Sequence, residues 1–202
     1  MIILKSINKN ITNEIIINKS RFISKIFRVN NEDEVKDKLE MVKRLYKDAT
    51  HYCYAYIIGN IKRFNDDGEP GGTAGMPILN VLENKELNNI LCVVIRYFGG
   101  IKLGAGGLVR AYTNSVVEAV NLCDIINLVD GYKIKLEFSY DKVKYIDNLL
   151  REYNISYKEY DTNVIYELEI DIDSYNDIEE NLKGNCIDIK KIENILVKKS
   201  HL

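Results

Sequence analysis

The sequence predicts an α+β protein of two domains, residues 1–130 and 131–202. Three observations support this fold class. The chain has 202 residues and is 46% hydrophobic, which suits one large or two small globular domains. Nine of its 12 glycines fall between Gly68 and Gly107, which concentrates unusual backbone geometry in one region. After Gly131 the predicted elements follow the order β-α-β-β-α-β, which is that of a ferredoxin-like domain.

The first domain is expected to begin with a strand pair. Residues 14–17 and 22–27 are largely apolar and flank a polar turn over residues 18–21. Asn31 can cap a helix that runs to about Lys47, because acidic residues occupy its first turn and basic residues its last. Residues 51–58 then predict a strand.

Two more helices and one buried strand complete this domain. Thr73 can cap a helix that runs to about Glu83, with Pro77 tolerated in the first turn. Residues 90–97 are almost continuously apolar, which predicts a strand buried on both faces. Apolar positions at helical spacing from Leu108 to Cys123 predict a helix that starts directly after the second glycine cluster.

The second domain is predicted to have strands at residues 132–138, 155–160, 164–172 and 187–197, with helices at 143–153 and 175–182. We place the domain boundary near residues 127–131. Residues 1–130 carry 17 Lys+Arg and 15 Asp+Glu, a net charge of +2, whereas residues 131–202 carry 11 and 15, a net charge of −4. An anion-binding face is therefore expected in the first domain.

Composition excludes several classes of protein. The longest apolar runs are far shorter than the roughly 20 residues of a spanning helix, and the N-terminus has no secretory signal pattern, so we expect a cytoplasmic protein with no membrane partner. Four widely spaced single cysteines predict reduced, mostly buried thiols. With only two histidines a zinc site is improbable. No cofactor is expected.

The first glycine-rich segment, residues 66–75, is a candidate loop site. Three carboxylates within four residues, Asp66, Asp67 and Glu69, could bind Mg²⁺ or supply an acid/base pair, and Thr73 follows them. The alternative, which we favour, is a solvated Asp-Gly turn whose acids cap neighbouring backbone amides.

The second segment, residues 96–110, is a candidate anion or partner-binding loop. Free N–H groups at a helix N-terminus beside basic side chains could cradle an anion. It matches neither the dinucleotide-binding nor the Walker A pattern, so no nucleotide cofactor is supported. The alternative is that its glycines serve close packing. The candidate residues are Arg96, Gly99, Gly100, Lys102, Gly104, Gly106, Gly107 and Arg110.

Two other patterns lie on the strand at residues 51–58. His51 and Cys53 share one face, where they could form a nucleophile pair, although a core cysteine is the commoner case. Tyr52, Tyr54 and Tyr56 share the other face, where they could stack bases but are more often packed beneath a helix.

Four motifs resemble the YigZ/Impact family in their order and spacing. They are KSRF at residues 19–22, ATHYCYAY at 49–56, DDGEPGGTAGMPIL at 66–79 and IRYFGGIKLGAGGLVRAY at 95–112. The resemblance implies an N-terminal domain like the second domain of ribosomal protein S-five, and a ferredoxin-like C-terminal domain like a late domain of the translocation elongation factor (elongation factor G). Its eukaryotic relatives regulate translation under amino-acid starvation. No catalytic residue is implied.

Three hypotheses of function follow. We favour a translation-associated regulatory protein that binds RNA or a ribosome-linked partner through the glycine-rich loop face. The second is a regulator that acts only through protein–protein contacts. The third is an enzyme that acts on a phosphorylated small molecule with a metal ion held by Asp66, Asp67 and Glu69. The preference rests on analogy of fold.

Overall fold

A computed structural model describes residues 3–199 as two compact units. One is Leu4–Ile126, and the other contains Ile3 and residues 127–199. The division falls inside a continuous strand, Ile125–Phe138, which begins seven residues before the strand expected at residues 132–138.

The N-terminal unit is a five-stranded sheet with helices on both faces. The sheet order is β2-β3-β6-β4-β5, and all neighbouring strands are antiparallel. A short strand precedes it and buries Ile7 in the core. The elements are β1 (Leu4–Ile7), β2 (Ile11–Ile17), β3 (Ser20–Arg28), α1 (Glu32–Leu45), β4 (His51–Ile58), β5 (Ile61–Asn65), α2 (Gly75–Asn84), β6 (Ile90–Tyr97) and α3 (Gly104–Asn121).

Side chains alternate along the strands, so each face of this sheet has its own core. Cys53 and Cys92 lie on the face covered by α2 and α3, where Tyr112 is also buried. Leu91 and Val93 lie on the opposite face, covered by α1. Helices on both faces explain why β6 is almost continuously apolar, as predicted.

Most predicted elements of this unit are confirmed. Asn31 caps α1 by accepting a hydrogen bond from the Glu34 amide at 2.9 Å, although the helix ends at Leu45. The β2–β3 turn is shorter than expected, because Asn18 and Lys19 alone adopt left-handed backbone angles (φ 46° and 64°) and Ser20 already pairs with Ile17.

Three features of this unit were not predicted, the first being the short strand β1. Strand β5 is an exposed edge strand, so its five residues lack the alternation that identifies a half-buried strand. Helix α3 begins at Gly104, so residues 104–107 form its first turn instead of a loop that precedes it.

The C-terminal unit has the predicted β-α-β-β-α-β order. Within this unit β7 pairs with β10 on one side and with β9 on the other, and β9 pairs with β8, all antiparallel, which gives the order β10-β7-β9-β8. Leu136, Phe138, Tyr166 and Leu168 are buried in its core with residues of both helices. The elements are β7 (Ile125–Phe138), a 3-10 turn (Tyr140–Lys142), α4 (Val143–Leu149), β8 (Ile155–Tyr160), β9 (Val164–Asp171), α5 (Ile172–Lys183) and β10 (Asp188–Lys198).

None of the helices within residues 3–199 combines the length and the apolar character that crossing a membrane requires.

Candidate functional site

A pocket of about 440 Å³ lies where the two glycine-rich segments meet in the N-terminal unit. Glu69 and Pro70 of the first segment line it together with residues 102–105 of the second. The start of β4 and the end of β6 complete the wall, because His51 pairs with Arg96 in the sheet. The two glycine-rich segments therefore lie side by side at one end of the sheet.

Asp66 caps helix α2 from across the loop. Its Oδ1 accepts hydrogen bonds from the amides of Ala74 (3.0 Å) and Gly75 (2.8 Å), and its Oδ2 accepts one from Gly72 (2.9 Å). Thr73, expected to be the cap, instead donates its hydroxyl to the Pro70 carbonyl at 2.6 Å. The Thr73 assignment is therefore wrong, because a carboxylate remote in sequence takes the amides at this helix end.

The other two acids of the segment have different partners. Asp67 accepts a hydrogen bond from the Tyr52 amide at 2.6 Å, and Glu69 accepts from Arg96 and Tyr112. Among residues 3–199, no group of three His, Cys, Asp or Glu side chains is arranged to hold a metal ion. The amide-capping interpretation is confirmed for Asp66 and Asp67, and the structure contradicts a magnesium site built from the three acids.

Glu69 is the acceptor at the centre of a buried cluster. Its Oε1 lies 2.5 Å from Arg96 Nη1 and 2.8 Å from the Tyr112 hydroxyl, and the side chains of Glu69 and Arg96 are only 4% and 5% exposed. Burial, followed by the nearby Cys53, raises the pKa of Tyr112 far above its usual value, so this hydroxyl stays protonated and donates. Glu69 is thus not part of a solvated turn.

Arg96 differs from its expected role as an open anion contact. Its guanidinium lies between the rings of Phe22 (5.4 Å) and Phe98 (5.5 Å), and Nη1 is committed to Glu69. Its Nε is buried and has no hydrogen-bond partner in the described part of the chain. A buried donor without an acceptor costs free energy of folding, so the Arg96 Nε–H lowers the stability of this part of the unit.

His51 presents one ring nitrogen to the pocket. Its Nδ1 lies 2.7 Å from the carbonyl oxygen of Asp67, which can only accept, so Nδ1 carries the proton. The Nε2 atom lies 3.9 Å from Glu69 Oε1, too far for a hydrogen bond. The Asp-Gly turn therefore fixes both the tautomer and the orientation of the imidazole.

Cys53 is a buried core thiol. Its Sγ donates to the carbonyl of Asp66 at 2.9 Å, and burial raises its pKa to about 12. A protonated thiol is a poor nucleophile, which contradicts the His51–Cys53 pair. The tyrosines on the other face of β4 pack beneath α1, and the Tyr52 and Tyr56 hydroxyls donate to the Tyr46 carbonyl and to Glu32. The packing interpretation of the tyrosines is thus confirmed.

The glycines of the second segment fall into two groups. A Cβ on Gly99 would lie 2.0 Å from the Lys19 carbonyl carbon, and one on Gly107 would lie 3.1 Å from Leu103 Cβ, so both serve close packing. At Gly100 and Gly104, both with positive φ, a Cβ would meet nothing within 4 Å. Gly106 is also open, with only Arg110 Nη1 at 3.9 Å.

The first turn of α3 therefore exposes backbone. The amides of Gly104, Ala105 and Gly106 precede the first intrahelical hydrogen bonds, and the N-cap residue Leu103 provides no side-chain cap. Gly107 is the fourth helical residue, so its amide bonds within the helix. Lys102 and Arg110 are exposed on either side of this turn, and Lys102 lines the pocket.

Comparison with known families supports the resemblance noted from the motifs. Residues 18–120, just over half of the chain, match the Impact N-terminal domain. The chain belongs to the Impact family. The match spans both glycine-rich segments and every side chain of the pocket described above.

Individual relatives extend the match. The Impact family member YvyE of Bacillus subtilis is 44% identical over 163 residues, covering 78% of this chain and 75% of the relative. The Impact family member YigZ of Escherichia coli is 37% identical over 139 residues, covering 66% and 68%. A crystal structure of a hypothetical protein is 29% identical with a TM-score of 0.64, covering 96% of this chain and 98% of that one.

Tyr112 and His51 belong to the site but were not placed there from the sequence. Tyr112 lies on the apolar stripe of α3, where helical spacing alone predicts a core residue, and it is buried there. A signal did exist, because a buried tyrosine hydroxyl needs a hydrogen-bond partner and Glu69 is one of few acids in this region.

Proposed function

We propose that this Impact-family protein is a translation-associated regulatory protein that binds RNA through the glycine-rich loop face of its N-terminal unit. One observation carries the proposal: the uncovered first turn of α3, with its open amides, lies between the exposed cations Lys102 and Arg110, and Lys102 also lines the pocket. Phosphate groups are held by such amides and by Lys and Arg side chains.

The glycines at the start of α3 leave space for a phosphate to contact the backbone amides. With no Cβ at Gly104 and Gly106, a phosphate oxygen can approach the amides directly, and the helix dipole adds positive potential at the same point. Lys102 and Arg110 supply the charge. Arg96 does not add to it, because its charge is neutralised by Glu69.

The translation role comes from the family resemblance. The motifs imply kinship with eukaryotic translation regulators, and a translation partner would place the protein in the cytoplasm. The β10-β7-β9-β8 order supports the assignment of the C-terminal unit as ferredoxin-like, and the resemblance suggests a ribosomal protein S-five-like N-terminal unit. These assignments are analogies of fold, whereas the RNA surface is argued from the site itself.

Salt dependence of RNA binding tests the proposal. Two phosphate-neutralising cations predict a log-log salt slope of about 1.4 for single-stranded RNA and about 1.8 for a duplex. The double variant Lys102→Ala/Arg110→Ala should bring the slope close to zero. Lys43→Ala/Arg44→Ala removes two exposed cations of α1 on the opposite face of the sheet and should leave the slope unchanged.

A second candidate function is regulation through protein–protein contacts alone. The specific observation in its favour is that Phe98 and Ile101, beside the pocket, are 45% and 43% exposed. Exposed apolar side chains in one segment are typical of protein interfaces. Salt-independent association with a protein partner, with no affinity for RNA, would replace the RNA proposal by this one.

A further inference from the structure

We infer that the pocket between the two glycine-rich segments binds a single nucleoside phosphomonoester, such as the phosphorylated end of an RNA strand. This inference rests on the proposed RNA-binding function and specifies the ligand at the same site. It differs from that function because surface cations and amides alone do not distinguish the end of a strand from its middle.

The size of the pocket suits one nucleotide. Its volume of about 440 Å³ lies at the lower end of the range for small-molecule sites, roughly 300–1,000 Å³. The buried Glu69 and Arg96 side chains form part of its wall, so the ligand meets fixed, solvent-excluded groups. A pocket of this volume has room for one terminal nucleotide but not for a run of several.

The donors in the pocket suit a phosphomonoester. The Gly104 and Ala105 positions at the start of α3 and the Lys102 side chain line one wall. Arg96 lines the same pocket, but its Nη1 donates to Glu69 and its Nη2 to Ser20 Oγ, so the pair is neutral and Glu69 does not repel a phosphate at Lys102. A terminal phosphate carries between one and a half and two negative charges near neutral pH, against one for an internal phosphodiester, and so gains more from these donors.

The remaining groups suit a nucleoside. Phe98 is held at the rim, with its amide bonded to Thr50 Oγ1 at 3.0 Å and one side of its ring facing the Arg96 guanidinium. Its exposed ring is available to stack on a base. His51 Nε2 offers a hydrogen-bonding atom of fixed position, because Nδ1 is held by Asp67. Stacking, an oriented imidazole and phosphate donors therefore meet in one cavity.

The test uses the full-length protein and matched oligonucleotides. One RNA sequence is prepared with a 5′-phosphate, with a 3′-phosphate or with hydroxyl groups at both ends, and adenosine monophosphate serves as the free-nucleotide probe. We expect at least tenfold tighter binding of one phosphorylated end than of the hydroxyl form, and competition by the mononucleotide.

Two variants locate the contact. Phe98→Ala should weaken mononucleotide binding about tenfold, within the range measured for base stacking. Phe64→Ala, an exposed phenylalanine of the edge strand β5, should not. Gly106→Ala fills open space in a helical turn, so the melting temperature should not fall, while phosphate-dependent binding should weaken.

The outcomes separate the two proposals. Equal affinity for phosphorylated and hydroxyl ends, with the salt slope intact, overturns this inference and leaves RNA binding standing. Binding of adenosine monophosphate without affinity for any RNA supports the pocket ligand and overturns RNA binding. Binding of none of the probes overturns both.

Discussion

Glu69 and Arg96 depend on each other because both are almost completely removed from solvent. A buried ion pair adds little net stability compared with an apolar pair, but removing one partner leaves an uncompensated charge in a poorly polarisable site. Tyr112 donates the further hydrogen bond that the carboxylate needs. The pair therefore fixes the wall of the pocket more than it stabilises the fold.

Neutralising Glu69 should be strongly destabilising. Glu69→Gln keeps the shape but leaves the Arg96 charge buried, so the free energy of unfolding should fall by about 3 kcal/mol in urea denaturation. Glu83→Gln disrupts the partly exposed pair with Lys62 and should cost less than about 1 kcal/mol. Adding Arg96→Met to Glu69→Gln should recover part of the loss. Equal losses for Glu69→Gln and Glu83→Gln would contradict the central role of the buried pair.

All four thiols should be unreactive in the folded protein. Burial raises the pKa of Cys53 to about 12 and those of Cys123 and Cys186 to about 11, and it also raises the pKa of Cys92. Because the raised pKa values lie above pH 8, the thiols stay protonated there. Ellman's reagent at pH 8 should titrate none of them quickly in the native state and four in urea. Fast native labelling of one thiol would show an activated cysteine.

At the scale of elements, the N-terminus of α2 depends on a residue eight positions before its N-cap Ala74. Asp66 satisfies three loop and helix amides at once, whereas a local cap usually satisfies one. The first glycine-rich segment is thereby tied to the helix that it precedes. This fixes Pro70 and Glu69 where they line the pocket.

Replacing Asp66 by alanine should lower the free energy of unfolding more than replacing Thr73 by alanine. Asp66→Ala removes three acceptor contacts and should lower the free energy of unfolding by about 2 kcal/mol. Thr73→Ala removes one hydrogen bond to a loop carbonyl and should cost about 1 kcal/mol or less. Thermal and urea unfolding measure both. A larger loss for Thr73→Ala would restore Thr73 as the cap.

The elements found from the sequence are those with a local signal. Strands β4 and β8 have the predicted bounds, and Asn31 caps α1, because alternation and capping residues act over a few positions. Strand β5 was missed because it is exposed throughout. The glycine content of the sequence located both loops of the site. The capping of α2 by Asp66 and the pairing of Arg96 with Glu69 could not be predicted, because they depend on contacts between residues far apart in the chain.

At the scale of the whole molecule, each unit has its own hydrophobic core. The buried clusters of Leu4–Ile126 lie on the two faces of its own sheet, and the cluster of the C-terminal unit lies between its sheet and its two helices. Cores with no shared residue can unfold separately. We therefore propose that the two units are separate folding domains, although β7 runs across the division without a break.

Hydrogen exchange in matched core variants tests this separation. Leu168→Ala in β9 and Leu91→Ala in β6 each truncate a fully buried leucine, at an expected cost of about 2–5 kcal/mol to the unit that contains it. In Leu168→Ala, exchange should accelerate in β8, β9 and β10 while β3, β4 and β6 keep wild-type protection. Leu91→Ala should give the reverse pattern. Separate cores lose protection independently only when neither core requires the other to be folded. If either variant accelerates exchange equally in both sheets, the chain therefore unfolds as one cooperative unit and the two-domain proposal is wrong.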